Sequence, residues 1–171
     1  VPAAVVVPPR CAALVNHLGF GRVVELAPGQ SFGYADLEVT AVAARHQGSR
    51  GLWDRAWRGA AGYLVRSAGA NVYFAGSTGY FSGFEEIGRR LQPDVALLPV
   101  AGYRPWDLRD DNLSPLDAVQ AFSDLGAKLL VPIAHGSFPL GYEPLDEPLR
   151  WLRQICDERG LTRQLAVLGH G

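Results

Sequence analysis

Tyr73-Phe74-Ala75-Gly76-Ser77-Thr78-Gly79-Tyr80, running on to Phe84-Glu85-Glu86-Ile87-Gly88, is the stretch that decides the fold. Val72 to Ala75 is rich in β-branched and aromatic residues and predicts a strand. Gly76 to Gly79 is a glycine-flanked polar turn. Phe84 to Leu91 then predicts a helix, with Glu85 and Glu86 in its first turn and Arg89 and Arg90 in its last, signs that complement the helix dipole. A strand leading through a short polar loop into a helix opens a βα alternation, and the chain continues it. Val95 to Val100 is fully apolar, the pattern of a strand covered on both faces. Ser114-Pro115 places an N-cap before a proline at the first helical position and predicts a helix to Leu125. Leu129 to Ile133 is the next buried strand. Pro144 to Arg159 predicts a helix with Leu145, Leu149, Leu152 and Ile155 on one stripe, and Gln164 to Leu168 a closing strand.

Upstream of the deciding stretch the pattern is antiparallel. Gly62 to Arg66 pairs with Val72 to Ala75 through the turn Ala68-Gly69-Ala70-Asn71. Leu37 to Ala43 puts Leu37, Val39, Ala41 and Ala43 on one face, the period-2 pattern of a strand. Before it come strands at Ala4 to Val7, Val23 to Leu26 and Ser31 to Tyr34, and a short helix from Cys11 to Leu18 stopped by Gly19. The expectation is a single α/β domain over residues 1–171, antiparallel early and βα later.

Composition narrows the function classes. The chain has 171 residues, 48% hydrophobic and 19% charged, an ordinary globular balance. Sixteen Lys and Arg against 17 Asp and Glu leave a net charge of −1. No basic field forms, so no nucleic-acid partner is expected. The apolar runs Ala3 to Val7 and Val95 to Ala101 fall short of the roughly 18–20 residues that cross a bilayer, so no transmembrane segment is expected. No signal-peptide pattern is visible, which points to a cytoplasmic location. Cys11 and Cys156 are too few for a disulfide framework and read as small buried hydrophobes. The chain opens on Val1-Pro2 without a methionine, like the interior of a folded unit.

In open α/β sheets ligands sit outside the carboxyl ends of the strands. Four loops at such ends carry the chemistry of this chain. His46 ends a strand and enters a loop rich in glycine and arginine, Arg45 to Gly59. Ser77 and Thr78 lie between Gly76 and Gly79. Asp110-Asp111-Asn112 precedes the Ser114 helix, and His135 ends the Leu129 to Ile133 strand. Each has a plain structural reading: a hydrogen-bonded histidine, a turn, a helix cap. Two strand-end histidines among only four in the chain raise a metal reading to equal weight, since imidazole is the commonest metal ligand. His17 and His170 read as solvated. A serine nucleophile elbow is excluded, because Ala75 stands where its first glycine would be. Trp53, Trp57, Tyr80, Tyr103 and Trp106 crowd these loops as packing or as pocket walls.

The order of these features resembles the metallo-β-lactamase superfamily. The residues that carry the likeness are a strand ending in His46, Phe74-Ala75-Gly76 with Thr78-Gly79-Tyr80, Phe84-Glu85-Glu86-Ile87-Gly88, an apolar strand ending in Pro99, the Ser114-Pro115 helix, and Pro132-Ile133 with Gly136-Ser137-Phe138. The branch it resembles holds the N-acyl-phosphatidylethanolamine phospholipase D-like and ascorbate-6-phosphate lactonase-like hydrolases. The resemblance implies an αββα sandwich, incomplete here at its N-terminal side. It implies one or two metal ions, usually zinc, and a metal-bound hydroxide that attacks a phosphodiester, lactone or related ester. The substrate would be a small-molecule or lipid-like ester. His46 matches a metal ligand of the family, and His135 is the candidate for another. Ser77 stands at the family's bridging aspartate, Ala134 at its last histidine ligand, and Asn112 where some members carry a catalytic histidine. Ser77 and Asn112 are thus the candidate catalytic positions. The family's His-x-His-x-Asp-His motif is absent from this chain. Two other outcomes follow from these departures: a non-catalytic member kept as a binding or scaffold module, or a half-domain that needs an N-terminal partner or self-association.

Overall fold

The computed structural model describes residues 3–47 and 58–169. Its first two strands, β1 (Ala4–Val7) and β2 (Arg22–Glu25), pair in parallel, with Ala4 opposite Arg22 and Val7 opposite Glu25. Between them runs α1 (Ala12–Val15), which tightens into a 3-10 turn over Asn16–Leu18. The helix expected over Cys11 to Leu18 is therefore two short pieces, and Gly19 stops it with a φ of +79°.

The main sheet contains β3 (Ser31–Tyr34), β4 (Leu37–Val42), β5 (Gly62–Arg66), β6 (Asn71–Phe74), β7 (Val95–Pro99) and β8 (Leu129–Ile133), side by side in chain order. Pairing is antiparallel from β3 to β6 and parallel from β6 to β8. It follows that β4, β6, β7 and β8 all run the same way. Their carboxyl ends, and the loops with His46, Ser77, Asn112 and His135, lie along one edge of the sheet.

One face of this sheet carries α2 (Gly83–Leu91), α3 (Pro115–Leu125) and α4 (Glu147–Glu158). Leu64, Tyr73, Ala96 and Leu130 stand in register across β5 to β8 on that face, and each is almost wholly buried. They form one core with Phe84 and Ile87 of α2, Val119, Phe122 and Leu125 of α3, and Leu152 and Ile155 of α4. Burying each of these aliphatic or aromatic side chains stabilises the fold by roughly 1.5–3 kcal/mol. Gly88 of α2 lets the helices approach closely: a Cβ there would lie 2.5 Å from the carbonyl oxygen of Leu125.

The opposite face is barer. Val65, Val72 and Leu97 alternate with the core residues and are half-buried, and Phe74 is 42% exposed. β7 is thus fully covered on its helix side alone, which corrects the reading of Val95 to Val100 as a strand buried on both faces. The β1–β2 pair lies near the β3–β5 part of the sheet. Arg22 stacks its guanidinium 4.7 Å over the Phe32 ring, and the Gly59 N–H donates to the Pro9 carbonyl at 3.1 Å. The strand expected at Gln164 to Leu168 is also shorter than its pattern suggests. Thr162–Gln164 is a 3-10 turn, and Leu165 alone bridges Leu130. α4 begins at Glu147, three residues inside its expected start, because Pro144 to Glu147 first makes a turn.

Candidate functional site

Three loops at the carboxyl edge interlock around one glycine. The Gly79 N–H donates to the Arg45 carbonyl at 2.8 Å, which joins the loop after β6 to the loop after β4. A Cβ on Gly79 would lie 2.7 Å from the carbonyl oxygen of Arg109 and closer still to that of Asp110, so the third loop presses directly on its backbone. Thr78 is wholly buried at this crossing. Its hydroxyl accepts from the Arg45 N–H at 2.9 Å and donates to the Gly79 carbonyl at 2.9 Å. The Arg45 guanidinium spans the same loops, donating to the Tyr80 carbonyl at 3.0 Å and to the Asp110 carboxylate. Tyr80 anchors the assembly to α3 through a 2.6 Å hydrogen bond to Asp124, and this bond, with burial, pushes its phenol up to about 12.

His46 is held by the third loop. Its Nδ1 lies 3.1 Å from the Asp111 main-chain carbonyl, an oxygen that can only accept. Nδ1 therefore carries the proton, and in the neutral ring Nε2 keeps a free lone pair. The Asp111 carboxylate accepts the Gln47 N–H at 2.9 Å and stands 3.8 Å from the same His46 nitrogen. Asp111 thus fixes both the ring and the chain that follows it, a role sequence reasoning missed. Its signal was the acidic pair Asp110-Asp111 directly before a helix cap.

Asn112 follows, half-buried, with its amide donating to the Leu108 carbonyl at 3.1 Å. Its side chain packs where Gly102, at φ +84°, leaves room: a Cβ on that glycine would come within 3.3 Å of the Asn112 Cγ. Ser77 is exposed on the loop beside buried Thr78. The structure thus brings His46, Ser77 and Asn112 onto interlocked loops. His135 lies further along the same edge, after β8. The chain bends at Ala134, φ +55°, and half-buried His135 lines an apolar crevice of about 520 Å³ with Leu97, Ile133, Phe138, Leu140 and Leu168. None of His46, Ser77 or Asn112 lines that crevice.

The crowded aromatic residues divide. Tyr103 is buried, its hydroxyl donating to Glu147 at 2.8 Å, and Tyr80 packs on Phe84. Trp106 is 69% exposed beneath the Arg109 guanidinium, 4.2 Å above its ring. Trp53, Trp57 and His170 lie outside the described residues. Exposed His17 is at the solvent as expected.

Catalytic zinc takes at least three ligands from protein. His46 offers one prepared nitrogen, yet among the described residues no group of three or more His, Cys, Asp or Glu side chains is placed to hold a metal ion. The residues present do not by themselves fit a zinc centre. No helix among the described residues is long and apolar enough to cross a membrane.

Comparison with known proteins places this geometry. Residues 4–135 match the beta-lactamase superfamily domain. The chain is 31% identical over 149 residues to N-acyl-phosphatidylethanolamine-hydrolyzing phospholipase D 1 of Caenorhabditis elegans, covering 82% of this chain and 42% of that protein. It is 36% identical over 132 residues to a UPF0173 metal-dependent hydrolase of Caldivirga maquilingensis, covering 77% of this chain and 47% of the relative. The chain thus spans less than half the length of either relative. Among solved structures, Igni18, a metallo hydrolase from Ignicoccus hospitalis, superposes with a TM-score of 0.73 at 22% identity, over 99% of this chain and 66% of the other. At that identity the likeness is one of fold, and it agrees with the metallo-β-lactamase type of α/β architecture expected from the sequence. With its order of strands, its interlocked edge loops and a match over most of its length, the chain belongs to the beta-lactamase superfamily domain family.

Proposed function

We propose that this chain is the carboxyl-side portion of a metal-dependent hydrolase that acts on phosphodiester, lactone or related ester bonds. The observation that carries the proposal is the His46 ring, whose Nδ1–H is engaged by the Asp111 carbonyl so that in the neutral ring the lone pair is on Nε2. That arrangement suits a metal ligand better than a buried structural histidine. The names of the relatives, a phospholipase D and metal-dependent hydrolases, support the reaction class. In this reading His46 and His135 are metal ligands and Ser77 is a weak ligand or an anchor for water. Asn112 is a polar group over the substrate, a small-molecule or lipid-like ester. The remaining metal donors would come from an upstream half of the sandwich, joined covalently or as a separate chain, and zinc is the ion the family favours.

A second reading has its own support. Ser77 is a neutral hydroxyl where a carboxylate would bridge two ions, Ala134 offers no ligand atom, and the described residues assemble no donor cluster. A member so altered would serve as a binding or scaffold module. Native mass spectrometry with added zinc separates the two, on the chain alone and on the chain co-expressed with an upstream half like that of its relatives. Zinc retained by the joined form, and lost in His46→Ala, supports the hydrolase. Metal-free species in both forms would overturn it in favour of the scaffold.

A further inference from the structure

Glu143 is a buried acid that neither the family match nor the site described above employs. It is 6% exposed, on the segment between β8 and α4. An ionised carboxylate in such a place needs donors, and it finds them in main chain. One oxygen accepts the N–H of Gly102 in a short hydrogen bond, and the other accepts the N–H of Arg104 at 3.2 Å. The approach is tight from both sides. The Tyr142 N–H donates to the Arg104 carbonyl at 3.0 Å, and a Cβ on Gly141 would lie 2.5 Å from that same oxygen. Glu147, the first residue of α4, takes the side chains of the same segment, Tyr103 Oη at 2.8 Å and Arg104 at 2.9 Å. Two carboxylates therefore hold three successive residues, Gly102 by main chain, Tyr103 by side chain and Arg104 by both.

The held segment is the surface on which Asn112 rests. Gly102 sits at a positive φ that glycine takes without steric cost, and the Asn112 amide occupies the space that this glycine leaves. We infer that Glu143 is a positioning residue of the candidate site: by accepting the Gly102 and Arg104 N–H groups it fixes the bend against which the Asn112 amide is set. This deepens the proposed function and rests on its placement of Asn112 at the substrate. Glu143→Gln is close in shape but turns one oxygen into a donor. The amide oxygen can then face only one of the two main-chain N–H groups while the other meets an N–H, and Gly102 loses its carboxylate acceptor in either orientation, a penalty larger than that of an absent neutral hydrogen bond.

The test is nuclear magnetic resonance on the isotopically labelled 171-residue chain, comparing Glu143→Gln with Arg150→Ala, an exposed ion-pair variant on α4. In Glu143→Gln the Gly102 amide proton should move upfield and exchange about ten-fold faster. The side-chain amide pair of Asn112 should shift with it, and Arg150→Ala should move neither. Glu143→Asp, too short to reach both N–H groups, should give the same pattern and serves if the glutamine variant does not fold. A displaced Gly102 amide with the Asn112 side chain unmoved would overturn the inference, since a merely structural clamp predicts that result. So would an unmoved Gly102. Asn112→Ala assayed in the joined, complete protein is the separate control. If turnover survives there, the placement of Asn112 at the substrate fails, while the coupling of Glu143 to Asn112 is judged by the resonances alone.

Discussion

Ser77 and Thr78 are adjacent hydroxyl residues with opposite fates. The sequence draws attention to Ser77, because it occupies a family ligand position. The structure gives the structural work to Thr78, which is buried and bonded to two main-chain groups, and leaves Ser77 exposed. The glycine-flanked turn gives no sign of which hydroxyl is buried; the crossing loops decide it. Gly79 shows the same dependence. Nothing in the turn Gly76 to Gly79 reveals that the Arg109 and Asp110 carbonyls press on it. Gly79→Ala should cost about 1–3 kcal/mol through overpacking against main chain that cannot yield. Thermal melting followed by circular dichroism would register this as a midpoint several degrees lower, and an unchanged midpoint would refute the contact. His46 and Asn112 could be named from sequence as strand-end and pre-helix polar residues. Asp111 and Glu143 could not be given roles, because each works through main-chain groups distant along the chain.

Elements with a local signature were the ones read closest to their true bounds. α3 starts where Ser114-Pro115 places it, and its cap is completed by Asp117. The Ser114 hydroxyl and N–H both donate to the Asp117 carboxylate, and the Asp117 N–H returns a bond to Ser114 Oγ. Burial alone would raise the Asp117 carboxyl, but bonds from Arg109 and then Ser114 outweigh it and hold the group below its ordinary 3.8. A carboxyl depressed in the folded state contributes stability that is fully present above its unfolded value. That stability is lost as pH falls through the folded value. Acid titration of the wild type should therefore show a fall in melting midpoint below about pH 4 that is smaller in Asp117→Asn. At neutral pH the asparagine variant should be less stable by about 1–2 kcal/mol. Gly88 belongs to the same scale. An alanine in a helix gains up to about 1 kcal/mol in propensity, yet its Cβ would meet the Leu125 carbonyl at 2.5 Å. The clash wins, and Gly88→Ala should melt lower than wild type, whereas a higher midpoint would show that α2 and α3 can part without cost. The weak expectations were at elements without local punctuation. Gln164 to Leu168 has strand composition, but a strand exists only where a partner edge continues, and here only Leu165 meets one.

At the scale of the whole molecule, the sheet has one finished face and one open one. The helix side is sealed by α2, α3 and α4, while Val65, Val72, Leu97 and Phe74 leave apolar area on the other side. The chain alone is expected to cover that area by self-association or with an upstream half. Sedimentation equilibrium should report species heavier than 18.4 kDa, and Phe74→Ser should shift them toward the monomer. A wild-type chain that stays at 18.4 kDa at all concentrations would contradict this. The α/β class and the switch from antiparallel to parallel pairing were readable from the chain, because the hydrophobic period and the spacing of helices change at Val72. The bare face was not legible in the apolar runs themselves, which have the same letters whether one side or both are covered; it was expected only through the half-domain alternative that the family resemblance raises. Strand order has a consequence for synthesis. Neighbours along the chain are neighbours across the six-stranded sheet, so no strand has to be threaded between two already in place. On a ribosome each emerging strand can add to the growing edge, and the functional edge is complete only after the last strand, β8, and its following loop have left the exit tunnel.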